Sequence, residues 1–495
     1  MKLSTLLQSI QALIRPEGMQ HPQGEDRSIT SIHYDSRQVK PGGLFVAIKG
    51  LKVDGHDFIS HALDQGAAAL VMEKPMTAPC TVPVIRVNQP RKALALLGAS
   101  FYDNPSSKLH LTGITGTNGK TSTSYLLEAI FNEAGHATGV IGTINYRYGN
   151  KVFANPMTTP ESLDIQQILA DMVKEGITHV IMEISSHAVD LDRIFGLCFD
   201  TGVFTNLSQD HLDYHQTMDH YFDCKKRFFT EGLEHGQSQG KTVRAVINGN
   251  DDKGLEIKSL LTIPFYTTGS ETAHIRLRNA SLDILGIQGT LICPDGQIDI
   301  RSDAIGAHNL ENILNAAGAA LCAGVSLTAI KKGVEAFTVP GRLERVPTDL
   351  GFYVFVDYAH TPDGLLNVLQ TLKPLTPGRL ITVFGCGGDR DKGKRPKMGQ
   401  IAETFSDLCI VTSDNPRSEE PDQIIDQIRE GMKNKHHCVE PDRRKAIGQA
   451  IDCAKKGDCI LIAGKGHETY QILKTRTIDF DDRTEARKAL ETHGL

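Results

Sequence analysis

Tryptophan is absent from this chain, and aromatic residues make up only 6% of it. Such a chain is poorly supplied for stacking against sugars or nucleic-acid bases. Long apolar runs are missing too. The longest, over residues 316–325, contains glycine and falls far short of the roughly 20 residues that span a bilayer. Gln8 and Gln11 interrupt the opening MKLSTLLQSIQALI, and no small-residue cleavage site follows. That stretch is expected to form an amphipathic helix and not a leader peptide. No CxxC pair occurs among the ten cysteines, and Cys322, Cys409 and Cys459 stand inside apolar runs. Free thiols and a cytoplasmic location are expected. Blocks of one charge are lacking as well, and 53 basic against 59 acidic residues leave a net −6. Neither a nucleic-acid coat nor a polybasic membrane anchor fits that balance.

What is present is ordinary for a globular enzyme: 40% hydrophobic residues, 46 glycines and 21 prolines over 495 positions. The length corresponds to about three domains. Residues 1–107 read as a small α/β unit, with strands over 29–34, 44–48 and 67–72 and helices over 57–65 and 91–102. The turn-rich Asp103-Asn104-Pro105-Ser106-Ser107 closes it. From residue 109, strands over 109–114, 138–141, 179–184 and 201–205 alternate with helices over 119–134 and 162–175. That alternation predicts a mainly parallel sheet within residues 108–338. A Pro/Gly break near 333–341 ends this region. Across 339–495, short apolar runs at 353–356, 380–384, 408–412 and 459–463 predict a second doubly wound sheet. The fold class is α/β.

The sharpest motif is Gly113-Ile114-Thr115-Gly116-Thr117-Asn118-Gly119-Lys120-Thr121, set between an apolar strand and a helix. Glycines there let backbone N–H groups close around phosphate, and the helix N-terminus adds a favourable dipole. Lys120 would reach the terminal phosphates, and the Thr121 hydroxyl would hold Mg²⁺. The spacing departs from GxxxxGK[ST], because Ile114 occupies the first-glycine position and Gly113 lies one residue early. Glu183 ends a strand beside the loop, where an acid is placed to bind the nucleotide's Mg²⁺. His211, His215 and His220 follow among aspartates. Their spacing suits a zinc pair on a helix, a solvated polar loop, or one imidazole ligand to a second Mg²⁺. Lys225, in Lys225-Lys226-Arg227, reads on its own as part of a solvated basic face. His308-Asn309, Gly341-Arg342 and the strand-end Asp357 say little individually.

Taken in order, GTNGKT, MEISSHA, DHLDYH, HNLEN, GRLE and DYAHTP resemble the Mur ligase family of ATP-dependent, amide-forming ligases. Asp35-Ser36-Arg37 with the following PGGLFVA, Asp414-Asn415-Pro416-Arg417 and Gly464-Lys465-Gly466-His467-Glu468 narrow the likeness. They resemble the branch that joins diaminopimelate to a UDP-linked muramyl dipeptide. GTNGKT alone would also suit folylpolyglutamate synthetase or, from another class, a nucleotide-switch NTPase.

The resemblance implies an N-terminal UDP-binding domain over 1–107 and a central P-loop ATPase with a parallel sheet over 108–338. A C-terminal Rossmann-like domain over 339–495 would bind the amino acid. The implied substrates are ATP, UDP-MurNAc-L-Ala-D-Glu and meso-diaminopimelate, joined through an acyl phosphate in peptidoglycan synthesis, with two Mg²⁺ ions as cofactor. A monomer with no nucleic-acid or membrane partner is expected. ATP contacts are implied at Gly116, Thr117, Asn118, Gly119, Lys120, Thr121, Ser122, Asn309, Arg342 and Asp357. Ser36 with the backbone after Gly50, then Thr158, Thr159, Ser185 and Arg193, would hold the nucleotide-sugar peptide. Arg390, Asp414, Asn415, Pro416, Arg417, Gly464 and Glu468 would receive diaminopimelate. Thr121, Glu183 and His211 match metal positions, and Lys225 matches a lysine that relatives carry as a carbamate (N6-carboxylysine), a further metal ligand. Lys120, Glu183, His211 and Lys225 are the implied catalytic set. Leu191 departs from the pattern, standing where some relatives place a polar residue.

Overall fold

A computed structural model describes residues 1–20, 26–51, 53–76, 80–433 and 437–493. The chain divides into two compact units: one holds residues 1–278, 291–298 and 311–334, the other 279–290, 299–310 and 335–495.

The first unit contains two large sheets. In the N-terminal one the strand order is Ile14–Gln20, Val84–Val87, Ala69–Met72, Gly43–Val46, Ser31–His33. The last four run parallel, and Ile14–Gln20 pairs antiparallel with Val84–Val87. Gly43–Val46 and Ala69–Met72 are buried throughout, which is why they read as unbroken apolar runs. The expected N-terminal helix is shorter than its apolar pattern suggests. It covers Leu3–Gln8, burying Leu3, Leu6 and Leu7, and Ile14 already begins the edge strand. A 3₁₀ turn over Gln11–Leu13 separates helix from strand, and Pro16 favours extended backbone at Arg15 within the strand.

The second sheet has eight strands, in the order Phe265–Thr268, Arg244–Asn248, Thr201–Phe204, His110–Thr115, His179–Glu183, Thr138–Ile141, Asn145–Tyr148, Lys151–Ala154. The first six are parallel and the last two form an antiparallel hairpin. His110–Thr115 therefore lies between Thr201–Phe204 and His179–Glu183, and its C-terminal loop opens at the sheet's carboxyl edge, where α/β sheets bind ligands. Gly113 belongs to this strand and not to the loop: a Cβ there would lie 2.5 Å from Ile184 Cδ1 and 2.6 Å from Phe228 Cζ. Its early position in the motif is a packing requirement. Gly333 also plays a different part from the one its sequence suggests. It lies inside the helix Leu327–Ala336, where a Cβ would stand 2.4 Å from Ile130 Cα, so the chain break begins only after that helix.

In the second unit, Glu344–Val346 pairs antiparallel with Tyr353–Asp357, followed in parallel by Cys459–Ala463, Leu380–Phe384, Leu408–Val411 and His437–Val439. Leu365, Leu369, Met398 and Ile425 pack into one apolar cluster and Ile447, Ile451 and Ala486 into another. The ten cysteines are free thiols. Among the described residues no helix is long and apolar enough to cross a membrane.

Candidate functional site

The glycine loop is held from several sides. Gly116 has φ +149° and Gly119 φ +86°, and a Cβ on Gly116 would lie 1.9 Å from Thr205 Oγ1. The Thr117 and Asn118 amides donate to Asn206 O and Asn206 Oδ1, each at 2.9 Å. Lys120, the first residue of the helix Lys120–Glu133, donates through Nζ to the carbonyls of Gly116 and Thr117, both at 2.8 Å. Burial lowers its pKa, opposed by Glu183 and Asp210. Thr121 and Ser122 complete the first turn.

Glu183 is the hub of the sheet's carboxyl edge. It is 1% exposed and accepts at Oε2 from Thr121 Oγ1 at 2.9 Å and from Thr143 Oγ1 at 2.8 Å. A Cβ on Gly142 would lie 2.4 Å from Glu183 Oε1, so glycine is needed where the chain passes this carboxylate. Thr159 Oγ1 donates to Glu183 O at 2.8 Å and accepts from Ser185 N at 3.1 Å. Arg193 Nη1 donates to Thr159 O at 3.0 Å, and Thr158 shares a 3.1 Å hydrogen bond with Thr143. Thr158, Thr159, Ser185 and Arg193 thus gather beside Glu183 and the phosphate loop. Leu191 takes part through its carbonyl, which accepts from Arg91 Nη1 at 3.4 Å. Ser36, in the N-terminal sheet region, is buried and pairs with His61 Nδ1 at 3.0 Å. Of the backbone after Gly50, residue 52 lies outside the described residues.

Lys225 overturns the solvated reading of its motif. On the helix Met218–Arg227 it is 1% exposed, while Lys226 ion-pairs with Asp223 at 2.5 Å. Its Nζ donates to Gly116 O at 2.9 Å and lies 4.5 Å from the Tyr221 ring centre. Burial first, then the charge of Lys120, holds its pKa well below that of an exposed lysine. The histidines do not form the helical zinc pair that their spacing allows. His211 is an exposed residue with φ +52°, N-terminal to the four-residue helix Leu212–His215. His215 is buried, bonded through Nε2 to Ser186 Oγ at 2.8 Å, and its Nδ1 turns toward His220.

In the second unit Asp357 ends its strand with 4% exposure, accepting from the amides of Leu343 at 2.7 Å and Ala359 at 2.8 Å. Burial pushes its pKa up to about 6 against the pull of Arg342 and those amides. Arg342 is exposed and lies 5.0 Å from the Tyr358 ring centre. Asn309, on the first turn of the helix Ala307–Cys322, donates to Ile305 O at 2.9 Å. Asn415 donates to Glu468 Oε2 at 2.9 Å, and its Oδ1 accepts from Lys465 Nζ at 3.2 Å and Ile472 N at 2.9 Å. A Cβ on Gly464 would lie 2.5 Å from Asp414 Oδ2. Arg417, with φ +52°, donates to Gly388 O at 2.8 Å, and a Cβ on Gly388 would strike Pro416 O at 1.9 Å. Arg390 is exposed near Gly387. Asp414 to Arg417, Gly464 and Glu468 thus form one constellation beyond the carboxyl ends of the two strands that flank Leu380–Phe384.

Three family models match in series: Mur ligase family, catalytic domain, over 28–102; Mur ligase middle domain, over 114–320; and Mur ligase, glutamate ligase domain, over 341–466. A relative from Geobacter metallireducens named UDP-N-acetylmuramoyl-L-alanyl-D-glutamate–2,6-diaminopimelate ligase is 46% identical over 93% of this chain and 94% of its own. The chain belongs to the Mur ligase family. A relative of the same name from Geobacillus kaustophilus is 42% identical over the whole of both chains. A solved structure of a ligase of that name aligns with TM-score 0.72 at 31% identity, covering 96% of this Mur ligase and 98% of that chain.

Sequence reasoning passed over several residues that shape this Mur ligase. Lys465 was visible only as part of a motif, yet it is fully buried and bridges Asn415 and Glu468, the latter at 3.0 Å. Arg395 is fully buried, pairing with Glu419 at 2.9 Å and donating to Gly387 O at 3.1 Å. Arg443 pairs with Asp482, both with no side-chain exposure, and reaches Ala463 O at 2.9 Å. Nothing in the local sequence distinguishes these arginines from surface ones. For Lys225 a signal existed: Tyr221, Lys225 and Phe228 fall on one helical face, and both aromatic neighbours are buried.

Proposed function

We propose that this chain is an ATP-dependent ligase that joins meso-diaminopimelate to UDP-MurNAc-L-Ala-D-Glu in peptidoglycan synthesis, releasing ADP and phosphate. Full-length likeness to relatives of that name carries the reading. The nucleotide substrates and free thiols suit the cytoplasm. The division of labour follows three segments: 1–107 for the UDP end, 108–338 for ATP, 339–495 for the amino acid.

A carboxylate acylates amines poorly because oxide is a poor leaving group. Attack of a carboxylate oxygen on the ATP γ-phosphorus releases ADP and forms an acyl phosphate. The amine then attacks the acyl carbon, phosphate departs, and the amine loses a proton. In such a reaction the protein mainly positions groups and offsets charge. Gly116 to Ser122 would cradle the phosphates, with Lys120 facing the terminal ones. Asn309, Arg342 and Asp357 are proposed to hold the rest of ATP. Thr158, Thr159, Ser185 and Arg193, beside Glu183, are proposed to hold the muramyl-peptide end of the nucleotide-sugar substrate, and Ser36 its UDP end.

The oxygen donors Glu183 and Thr121, 2.9 Å apart, fit a hard divalent cation. Bound Mg²⁺ would offset the repulsion between carboxylate and γ-phosphate. His211 and Lys225 are proposed for a second ion. Lys225 suits this as a carbamate: its ammonium first gives up one proton, and the neutral amine then adds to CO₂ with loss of a second, so that a cation becomes an anion. Asp414, Asn415, Pro416, Gly464 and Glu468 are proposed to receive diaminopimelate, with Arg417 and Arg390 as cations for its distal carboxylate.

The test is incubation with ATP, Mg²⁺, the UDP-muramyl dipeptide and a panel of amino acids, read by mass spectrometry of the product and by ADP release. Tripeptide formation with meso-diaminopimelate is expected, with ADP release only when both acceptors are present. ADP release without acceptor, or on a folate substrate, would overturn the reading.

A further inference from the structure

His220 and Cys224 stand four residues apart on the helix Met218–Arg227, so their side chains leave one face. His215, 2% exposed, turns Nδ1 toward that face. Ligand atoms of these three residues lie within 4.8 Å of one another. Cys224 Sγ is 3.8 Å from His215 Nδ1 and 4.0 Å from His220 Nε2. Asp190, at the end of the helix Ser186–Asp190, stands beside two of them, its Oδ1 3.7 Å from Cys224 Sγ and 3.6 Å from His220 Nε2. In a tetrahedral zinc centre with bonds of about 2.0–2.3 Å, adjacent ligand atoms are about 3.3–3.6 Å apart. The four separations given, 3.6–4.0 Å, are slightly longer, and the ligand atoms of His215, His220 and Cys224 as a set lie within 4.8 Å, so the side chains would close inward on the ion.

Outer partners already orient two of the donors. His215 Nε2 is engaged by Ser186 Oγ at 2.8 Å, which leaves Nδ1 for a metal. Tyr214 donates its hydroxyl to Asp190 Oδ2 at 2.8 Å, which leaves Oδ1. Such second partners are the rule around metal-binding imidazoles and carboxylates. Two imidazoles, a thiolate and one carboxylate select zinc over Mg²⁺. The set is separate from the Glu183 hub, and Lys225, next to Cys224 in sequence, points instead to Gly116.

We propose that His215, His220 and Cys224 bind one zinc ion, with Asp190 beside Cys224 and His220 swinging in as the fourth ligand, and that the ion clips together the three helices that carry them. Binding replaces the Cys224 S–H proton with an S–Zn bond and releases that proton to solvent. The ion would thereby fix the helix that presents Lys225.

The test is titration of full-length, chelator-treated protein with Co²⁺ in excess Mg²⁺, which occupies oxygen-donor positions without colour. One equivalent of Co²⁺ with tetrahedral d–d bands and a thiolate-to-cobalt charge-transfer band is expected. Cys224→Ser is expected to abolish the charge-transfer band. His220→Asn, at a position whose side chain is 49% exposed, is expected to weaken Co²⁺ binding by about tenfold or more. Absence of Co²⁺ binding, or a charge-transfer band that survives Cys224→Ser, would overturn the proposal. If Cys224→Ser does not fold, His220→Asn decides alone, and unchanged affinity overturns it. These readouts do not use ligase activity, so they stand or fall independently of the proposed reaction.

Discussion

With Nζ buried 2.9 Å from the Gly116 carbonyl and Lys120 nearby, the Lys225 amine gives up its proton far more readily than an exposed lysine. Lys225→Ala is expected to lower kcat by about 100-fold or more, the scale of losing one charge-placing group. Small carboxylic acids, which supply an anion to the vacated space, should restore part of that rate. A variant that they cannot rescue would remove the main support for a carbamate. Asp357 supplies a pH signature. Its folded pKa, about 6, lies above the ordinary 3.8, so between these values the native state holds more protons than the unfolded chain. Its contribution is complete below about pH 4 and lost as pH rises through about 6, amounting to about 3 kcal/mol. Denaturant unfolding across that window should show the decline, and Asp357→Asn should flatten it.

The helix Lys120–Glu133 starts at Gly119, where a Cβ would lie 2.3 Å from Asn312 Oδ1 and φ is +86°. Gly119→Ala is expected to strain this turn by about 1–2 kcal/mol or more and to weaken ADP binding about tenfold, measured by calorimetry. The helix Arg443–Cys453 is tied to Asp482 by a pair with no side-chain exposure. Asp482→Ala leaves that guanidinium buried without its partner and should cost about 3–5 kcal/mol in thermal or denaturant unfolding. Elements of this kind differ in how openly the sequence declares them. Strands buried on both faces, such as Leu380–Phe384, are continuous apolar runs and are legible. The hairpin of Asn145–Tyr148 and Lys151–Ala154 went unread, although its Gly149-Asn150 link is a recognisable two-residue turn. Arg244–Asn248 and Phe265–Thr268 were missed because their polar ends blur the apolar signal.

For the whole molecule, the mild net charge of −6 says nothing about the local cations that anionic substrates require. The phosphate loop, Glu183 and the Asp414–Arg417 turn were legible because each follows a strand and carries residue types that chemistry constrains. Burial of Lys465, Arg395 and Arg443 was not, since a charge reveals its surroundings only once the chain folds around it. If Arg417 and Arg390 receive a distal carboxylate, kcat/KM should favour meso-diaminopimelate over L-lysine by about tenfold or more, because the lysine complex leaves a cation poorly paired. Equal values for the two amino acids would reject that assignment. The Asn415–Pro416 step has a consequence for chemical ageing. Asparagine side chains decay when the following backbone nitrogen attacks them and closes a ring, and Pro416 has no N–H with which to do so. The amide that ties Lys465, Ile472 and Glu468 together is thereby shielded from slow hydrolysis, which would place a second acid against Glu468. A stored preparation should lose amide groups elsewhere before it loses this one.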